Sequence, residues 1–200
     1  LGSFKYFKDK FDLKIHGDMG LNIFNSYTLE YLKKLGLNSG TLSPELNLAQ
    51  IKTLQSISEV DTEALVYGFL NVMTTKHCPM SLVKGCKNDK ACKYCEYANG
   101  YAIKDRMNVK FRMSRKEGYT NIYNSVPIMV VDSISQIINT GVSFMRLDFN
   151  VETKNIKEIQ SIHYDYMNNK IDMDEVNRFL TKFKEDNSIT NGHYFRGVMQ

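Results

Sequence analysis

The sequence predicts an α/β fold of parallel β/α units, interrupted near its middle by a cysteine-rich loop and a β-hairpin. Three observations carry this. Short apolar runs alternate with stretches of helical spacing over the first 75 residues, the alternation resumes after Pro127, and all four cysteines lie in the polar segment between. Strands separated by single helices at short intervals pair in parallel, because each helix returns the chain to the same end of the sheet.

Taken in order, residues 13–16 read as a short strand ending at Gly17-Asp18. Ser26 is placed to cap a helix over residues 27–35, which Gly36 stops. Residues 40–43 form the next strand, and Asn47 caps a helix running to about Ile57. Residues 64–70 are apolar enough for a strand buried on both faces. A polar loop then spans residues 77–100. Residues 107–113 and 121–125 pair as a hairpin around Lys116-Glu117-Gly118. Residues 128–131 and 142–149 are strands flanking a helix over 133–139, and two helices follow, over 155–167 and 173–184. The tail from Ile189 is polar and aromatic, without periodicity. The expected organisation is one α/β domain over residues 1–200, with residues 76–119 as an inserted module.

Composition is that of a globular domain, with 42% hydrophobic and 24% charged residues. No run approaches the roughly 18 apolar residues of a membrane span. The first eleven residues carry Lys5, Lys8, Asp9 and Lys10, which leaves no apolar core for a secretory signal. A cytoplasmic location without membrane contact is expected. Cysteines in a reducing compartment serve metal or redox chemistry more readily than disulfides. Here they run Cys78-x7-Cys86-x5-Cys92-x2-Cys95, all within 18 residues. The C-x2-C knuckle lets two thiolates face one ion, and Lys87, Lys90 and Lys93 favour the thiolate form. One centre ligated by Cys78, Cys86, Cys92 and Cys95 is expected. Zinc and a four-iron, four-sulfur cluster both remain open.

Net charge is +4, yet residues 76–116 alone carry +8. Lys84, Lys87, Lys90, Lys93 and Arg112, with Tyr94, Tyr97, Tyr101, Phe111 and Tyr119 interleaved, make this module a candidate RNA-binding surface. The bland alternative is a solvated basic face. There is no GxGxxG, P-loop, HExxH or GxSxG pattern.

Several segments carry a family likeness: Asn22-Ile23-Phe24-Asn25-Ser26, Leu42-Ser43-Pro44-Glu45-Leu46, Glu63-Ala64-Leu65-Val66-Tyr67-Gly68, Cys78-Pro79, and Lys104-Asp105-Arg106. Further on come Ile122-Tyr123-Asn124-Ser125-Val126-Pro127, Arg146-Leu147-Asp148-Phe149, and Thr190-Asn191-Gly192-His193-Tyr194-Phe195-Arg196-Gly197. From about residue 13 to its end the chain resembles the collagenase-like peptidase family U32, in the C-terminal half of the catalytic domain. It departs from the family signature at Tyr67, where that signature has histidine, and at Asn71, where it has its first cysteine.

The resemblance implies a partial (β/α) TIM-type barrel, completed by a missing N-terminal half or by self-association of two copies. Such a dimer would bury Leu65, Val66, Phe69 and residues 128–131. The resemblance also implies an iron–sulfur centre and two kinds of activity. One is oxygen-independent hydroxylation of RNA or a cofactor precursor, the preferred expectation. The other is endopeptidase action on collagen-like peptide substrates. An inactive fragment stapled by structural zinc is a third possibility. Barrel enzymes place their chemistry where strands end. That marks His16, Asp18, Glu45, Arg146 and Asp148 as candidate catalytic residues, with Tyr67 beside them.

Overall fold

A computed structural model describes residues 2–86, 95, 98 and 100–197. Its main sheet sets β1 (His16–Gly17), β2 (Ser39–Thr41), β3 (Asp61–Gly68) and β9 (Phe144–Asp148) side by side, all parallel. Helix α2 (Ser26–Leu35) links β1 to β2, and α3 (Leu48–Ile57) links β2 to β3. Local chemistry sets their ends. Asn25 rather than Ser26 caps α2, accepting from the Thr28 amide at 2.9 Å, and Gly36 closes it at φ 101°. Asn47 and Gln50 form a reciprocal capping box on α3. One side of the sheet packs on these helices through Ala64, Val66, Leu29, Leu32, Ile51 and Leu54. An additional helix, α1 (Gly2–Lys10), buries no side chain and touches the end of α2, where Lys8 Nζ donates to the Leu35 carbonyl at 2.8 Å.

Between β3 and β9 the chain builds a second sheet. Its order is β4 (Asn71–Thr75), β7 (Tyr119–Tyr123), β6 (Lys110–Lys116) and β5 (Tyr101–Lys104), antiparallel throughout. The expected hairpin is its β6–β7 pair. Glu117 and Gly118 both have positive φ, 52° and 83°, the two-residue turn whose twist suits a hairpin. Strands β4 and β5 enlarge it beyond expectation. Short helix α4 (Pro79–Lys84) lies against one side, where Cys78, Met80 and Met113 form a small core.

The chain leaves the end of β3 for this sheet and returns to the same end through Pro127. The first residues back, β8 (Ile128–Met129), therefore run antiparallel to β3, opposite Tyr67 and Gly68. Only after α5 (Ile134–Ile138) does β9 restore the parallel direction. Helices α6 (Ile156–Met167) and α7 (Met173–Asp186) then cover a second core of Met129, Val131, Ile134, Ile159, Val176, Leu180 and Phe183. A bulge on β3 between Leu65 and Tyr67 sets two residues against one of β9. It turns Tyr67 into this core, against Phe149 and His163.

The tail folds back. Thr190 pairs with the β8 segment, and Tyr194 Oη donates 2.7 Å to the Leu65 carbonyl, in the gap between β2 and β8. The described strands make an open sheet and no closed barrel. Leu65, Val66, Phe69 and residues 128–131 are each 6% exposed or less within the chain itself, so they offer no dimer surface.

His163 is 1% exposed, and its Nδ1–H donates 2.7 Å to the Ile159 carbonyl. Its Nε2 has no partner among the described residues. Burial pushes its pKa down to about 4, against an unfolded value of about 6.5. Within that window the unfolded chain binds a proton that the native one refuses. Stability is therefore complete above about pH 6.5 and is lost as pH falls toward 4. Urea titrations should show a loss of about 2 kcal/mol between about pH 7 and about pH 5. His163→Met should flatten that step, and an unchanged step would assign the acid sensitivity elsewhere.

Candidate functional site

Thr41 stands opposite Glu63, and Arg146 opposite Leu65 two positions further on. Alternation in a strand puts Thr41, Glu63 and Arg146 on the same face, away from α2 and α3. Arg146 Nη1 donates 2.7 Å to Asp18 Oδ1 and lies 3.5 Å from Glu63 Oε1, while Nη2 lies 3.8 Å from Asp148 Oδ1. One guanidinium thus faces three carboxylates that arrive from β1, β3 and β9. Burial works against the Arg146 charge, but Asp18, Asp148 and Glu63 outweigh it and raise its pKa. Asp148 is shifted the other way from an ordinary ion-paired acid. Burial raises its pKa above the usual value, opposed by Arg146 and reinforced by Asp18, Glu152 and Glu63.

A hydrogen-bonded chain enters this cluster from β1 and β2. Thr41 Oγ1 is 2.7 Å from Glu63 Oε1, and His16 Nε2 is 2.9 Å from Thr41 Oγ1. His16 Nδ1 is 2.9 Å from Ser39 Oγ. With Glu63 ionised, its oxygen can only accept, so Thr41 gives it the hydroxyl proton and takes one from His16 Nε2. That leaves Nδ1 as acceptor for the Ser39 hydroxyl. The tautomer follows from the chain: Ser39 to His16 to Thr41 to Glu63, every hydrogen pointing toward the carboxylate.

On the far side, Asn150 Nδ2 donates 2.9 Å to the Phe69 carbonyl and reaches Asp148 Oδ2 at 3.5 Å. Gly68 sits against Asp148 at φ 148°. A Cβ there would come within 2.8 Å of the Asp148 carbonyl oxygen, so only glycine lets the two strands close at this point.

Four of the expected catalytic residues, His16, Asp18, Arg146 and Asp148, are therefore brought together from positions up to 132 apart in the sequence. Glu45 lies exposed outside the cluster, and Tyr67 is turned away into the core. Glu63 is the member that strand-end reasoning missed. Its signal was a carboxylate directly before the apolar run that opens at Ala64. Ser39 and Thr41 carry no such signal.

The cysteines behave differently. Cys78 is buried against Met80 and Met113, Cys86 is exposed and Cys95 is half-buried. Cys92, with Lys87, Lys90 and Lys93, lies outside the described residues. Among the described residues, no group of three or more His, Cys, Asp or Glu is gathered as metal ligands would be. The described thiols by themselves do not fit a closed four-thiolate site. Lys84 is exposed on α4, and Arg112 on β6 stacks its guanidinium 4.6 Å from the Phe69 ring centroid. No helix of the described residues is long and apolar enough to cross a membrane.

Comparison with known proteins adds three findings. No solved structure matches the chain significantly. A Bacillus subtilis (strain 168) protein named "tRNA hydroxylation protein P2" is 26% identical over 143 residues. That match covers 68% of this chain and 45% of the relative, so the chain spans about half the relative's length. The sequence profile of peptidase family U32 matches residues 1–196. The chain belongs to peptidase family U32.

Proposed function

We propose that this chain is part of a protein that hydroxylates RNA bases, with the Arg146 cluster as its polar centre. The observation that carries the reading is likeness to a protein named for tRNA hydroxylation, in a chain whose strand ends gather one cation, three carboxylates and a histidine relay. Arg146 suits an anionic or carbonyl oxygen of a substrate. Asp148, whose burial favours the protonated form, and Glu63, at the end of the relay, are the groups that would hold or move a proton. Comparing tRNA nucleosides by mass spectrometry, from cells carrying or lacking the full-length protein, tests this. One nucleoside should lose a single oxygen's mass in the deletion strain. Arg146→Ala should fail to restore it by tenfold or more, because three carboxylates are left facing one another, at a stability cost of about 1–3 kcal/mol. Unchanged nucleosides would sink the reading.

One observation favours a second reading, endopeptidase action on collagen-like chains: the Ser39 hydroxyl lies 2.9 Å from His16 Nδ1, the spacing of a nucleophile and its base. Gelatin cleavage that disappears in Ser39→Ala would establish it, and absent cleavage would dismiss it.

A metal centre on Cys78, Cys86, Cys92 and Cys95, iron–sulfur or zinc, belongs to the same proposal. It rests on four thiols within 18 residues, and no step above runs through it. Anaerobically purified protein should contain iron or zinc. Cys92→Ser should lose the metal and melt lower, since metal binding of this kind contributes on the order of 10 kcal/mol to folding. Protein free of both metals would remove the centre.

The four parallel strands in chain order also suit one half of a β/α barrel, completed by a preceding half or a second copy. The terminal strands β1 and β9 would supply the pairing edges. Light scattering at micromolar concentration should show association of this 200-residue chain, and a stable 23.1 kDa monomer would count against it.

A further inference from the structure

The four strands of the second sheet contain Lys104, Lys110, Arg112, Arg115 and Lys116, and no Asp or Glu. Register sorts them. Lys104 pairs with Lys110, Ala102 with Arg112, Ser114 with Asn121 and Lys116 with Tyr119. These residues share the face opposite the Cys78–Met80–Met113 core, while Arg115 points to the other side, bonded to Thr120. Lys104, Lys110, Arg112 and Lys116 are exposed, and no described carboxylate forms an ion pair with any of them. Four like charges on one antiparallel face repel one another. Bound anions would offset that repulsion.

The face does not end in open solvent. Its β5–β6 end forms one wall of a cleft of about 1310 Å³, whose other wall is the segment that follows β9. Small-molecule pockets run to about 1,000 Å³, so this space suits a stretch of polymer. The two walls differ in chemistry. Lys104, Lys110 and Arg112 stand on one, and Asn150 and Glu152 on the other. Asn150 Oδ1 and Glu152 Oε1 are buried acceptors with no hydrogen-bond partner among the described residues. An acceptor left so is unfavourable until a donor arrives. Between the walls, Phe69 carries the Arg112 guanidinium on its face, a planar cation on which a base can stack.

We infer that this cleft holds single-stranded RNA, its phosphates on the Lys104–Lys110 wall and continuing outside the cleft along the same sheet face to Lys116, with an unstacked base turned toward Asn150 and Glu152. Resting on the RNA reading above, the inference assigns that reading its substrate-binding surface. Phosphates answer the cations, and the N–H groups of a base edge answer the two orphan acceptors. Duplex RNA would leave the second wall unanswered, since its base edges are already paired.

Fluorescence anisotropy with the full chain and a short labelled single-stranded RNA tests this across a salt series. Lys110→Ala and Lys116→Ala should each weaken binding several-fold and lower the salt slope by about 0.7. Lys110→Arg should restore the slope. An abasic strand of the same length should bind at least tenfold more weakly, as should the duplex. Glu152→Ala should narrow the gap between the normal and abasic strands without changing the salt slope. If Lys104→Ala/Lys110→Ala/Lys116→Ala binds RNA like the wild type, or if the abasic strand binds equally, the cleft is not the site although the RNA reading stands. Wild-type protein that binds no RNA would overturn both.

Discussion

Strand β3 is the constraint from which the remaining architecture follows. It is hydrogen-bonded on one edge to β2 and then β8, and on the other to β9. Tyr194 fills the single gap by capping the Leu65 carbonyl. A fully paired strand holds its alternation in register, and one slip would exchange its two faces. Here that would drive Glu63 into the α2–α3 core and bring Ala64 out beside Arg146. The bulge at Val66 uses the same rule locally. It leaves Glu63 and Leu65 on the site face and sends Tyr67 to the core, where burial and the nearby Glu152 carboxylate raise its hydroxyl pKa well above the ordinary value.

The Arg146 cluster is electrically unbalanced by design of its neighbours. Three carboxylates face one guanidinium, and the burial of Asp148 is not fully compensated by it. A structural ion pair would match charges one to one. An excess of acid around a single cation, fed by a hydroxyl–imidazole relay, is an arrangement suited to moving protons or receiving a polar substrate. Its members come from the ends of β1, β2 and β9 and the middle of β3, so no local segment can assemble it.

The second sheet stands in the connection between β3 and β9 and brings charge of the opposite sign. Its basic face and the segment that follows β9 meet at one cleft, with Phe69 and Arg112 where they join. Because the insertion leaves and re-enters at the same end of β3, it cannot lie far from that end. The connectivity therefore places the cationic face beside the strand ends where the polar cluster sits.

Much of this was legible in the sequence because it is encoded locally. The α2 and α3 boundaries follow from Gly36, Asn47 and a cap at Asn25, one residue before the expected Ser26, because these caps involve neighbours within a few residues. The β6–β7 turn follows from Glu117-Gly118, and the basic module from simple counting. Membership of the family was readable in short motifs for the same reason. What only tertiary structure decided depends on partners far apart in the chain. The antiparallel entry of β8, the extra strands β4 and β5, the recruitment of Glu63, Thr41 and Ser39, and the exclusion of Glu45 and Tyr67 all turn on register between separate strands. A side chain's face is set there by one bulge and by which edge a neighbour occupies, and periodicity along a single strand carries no record of either.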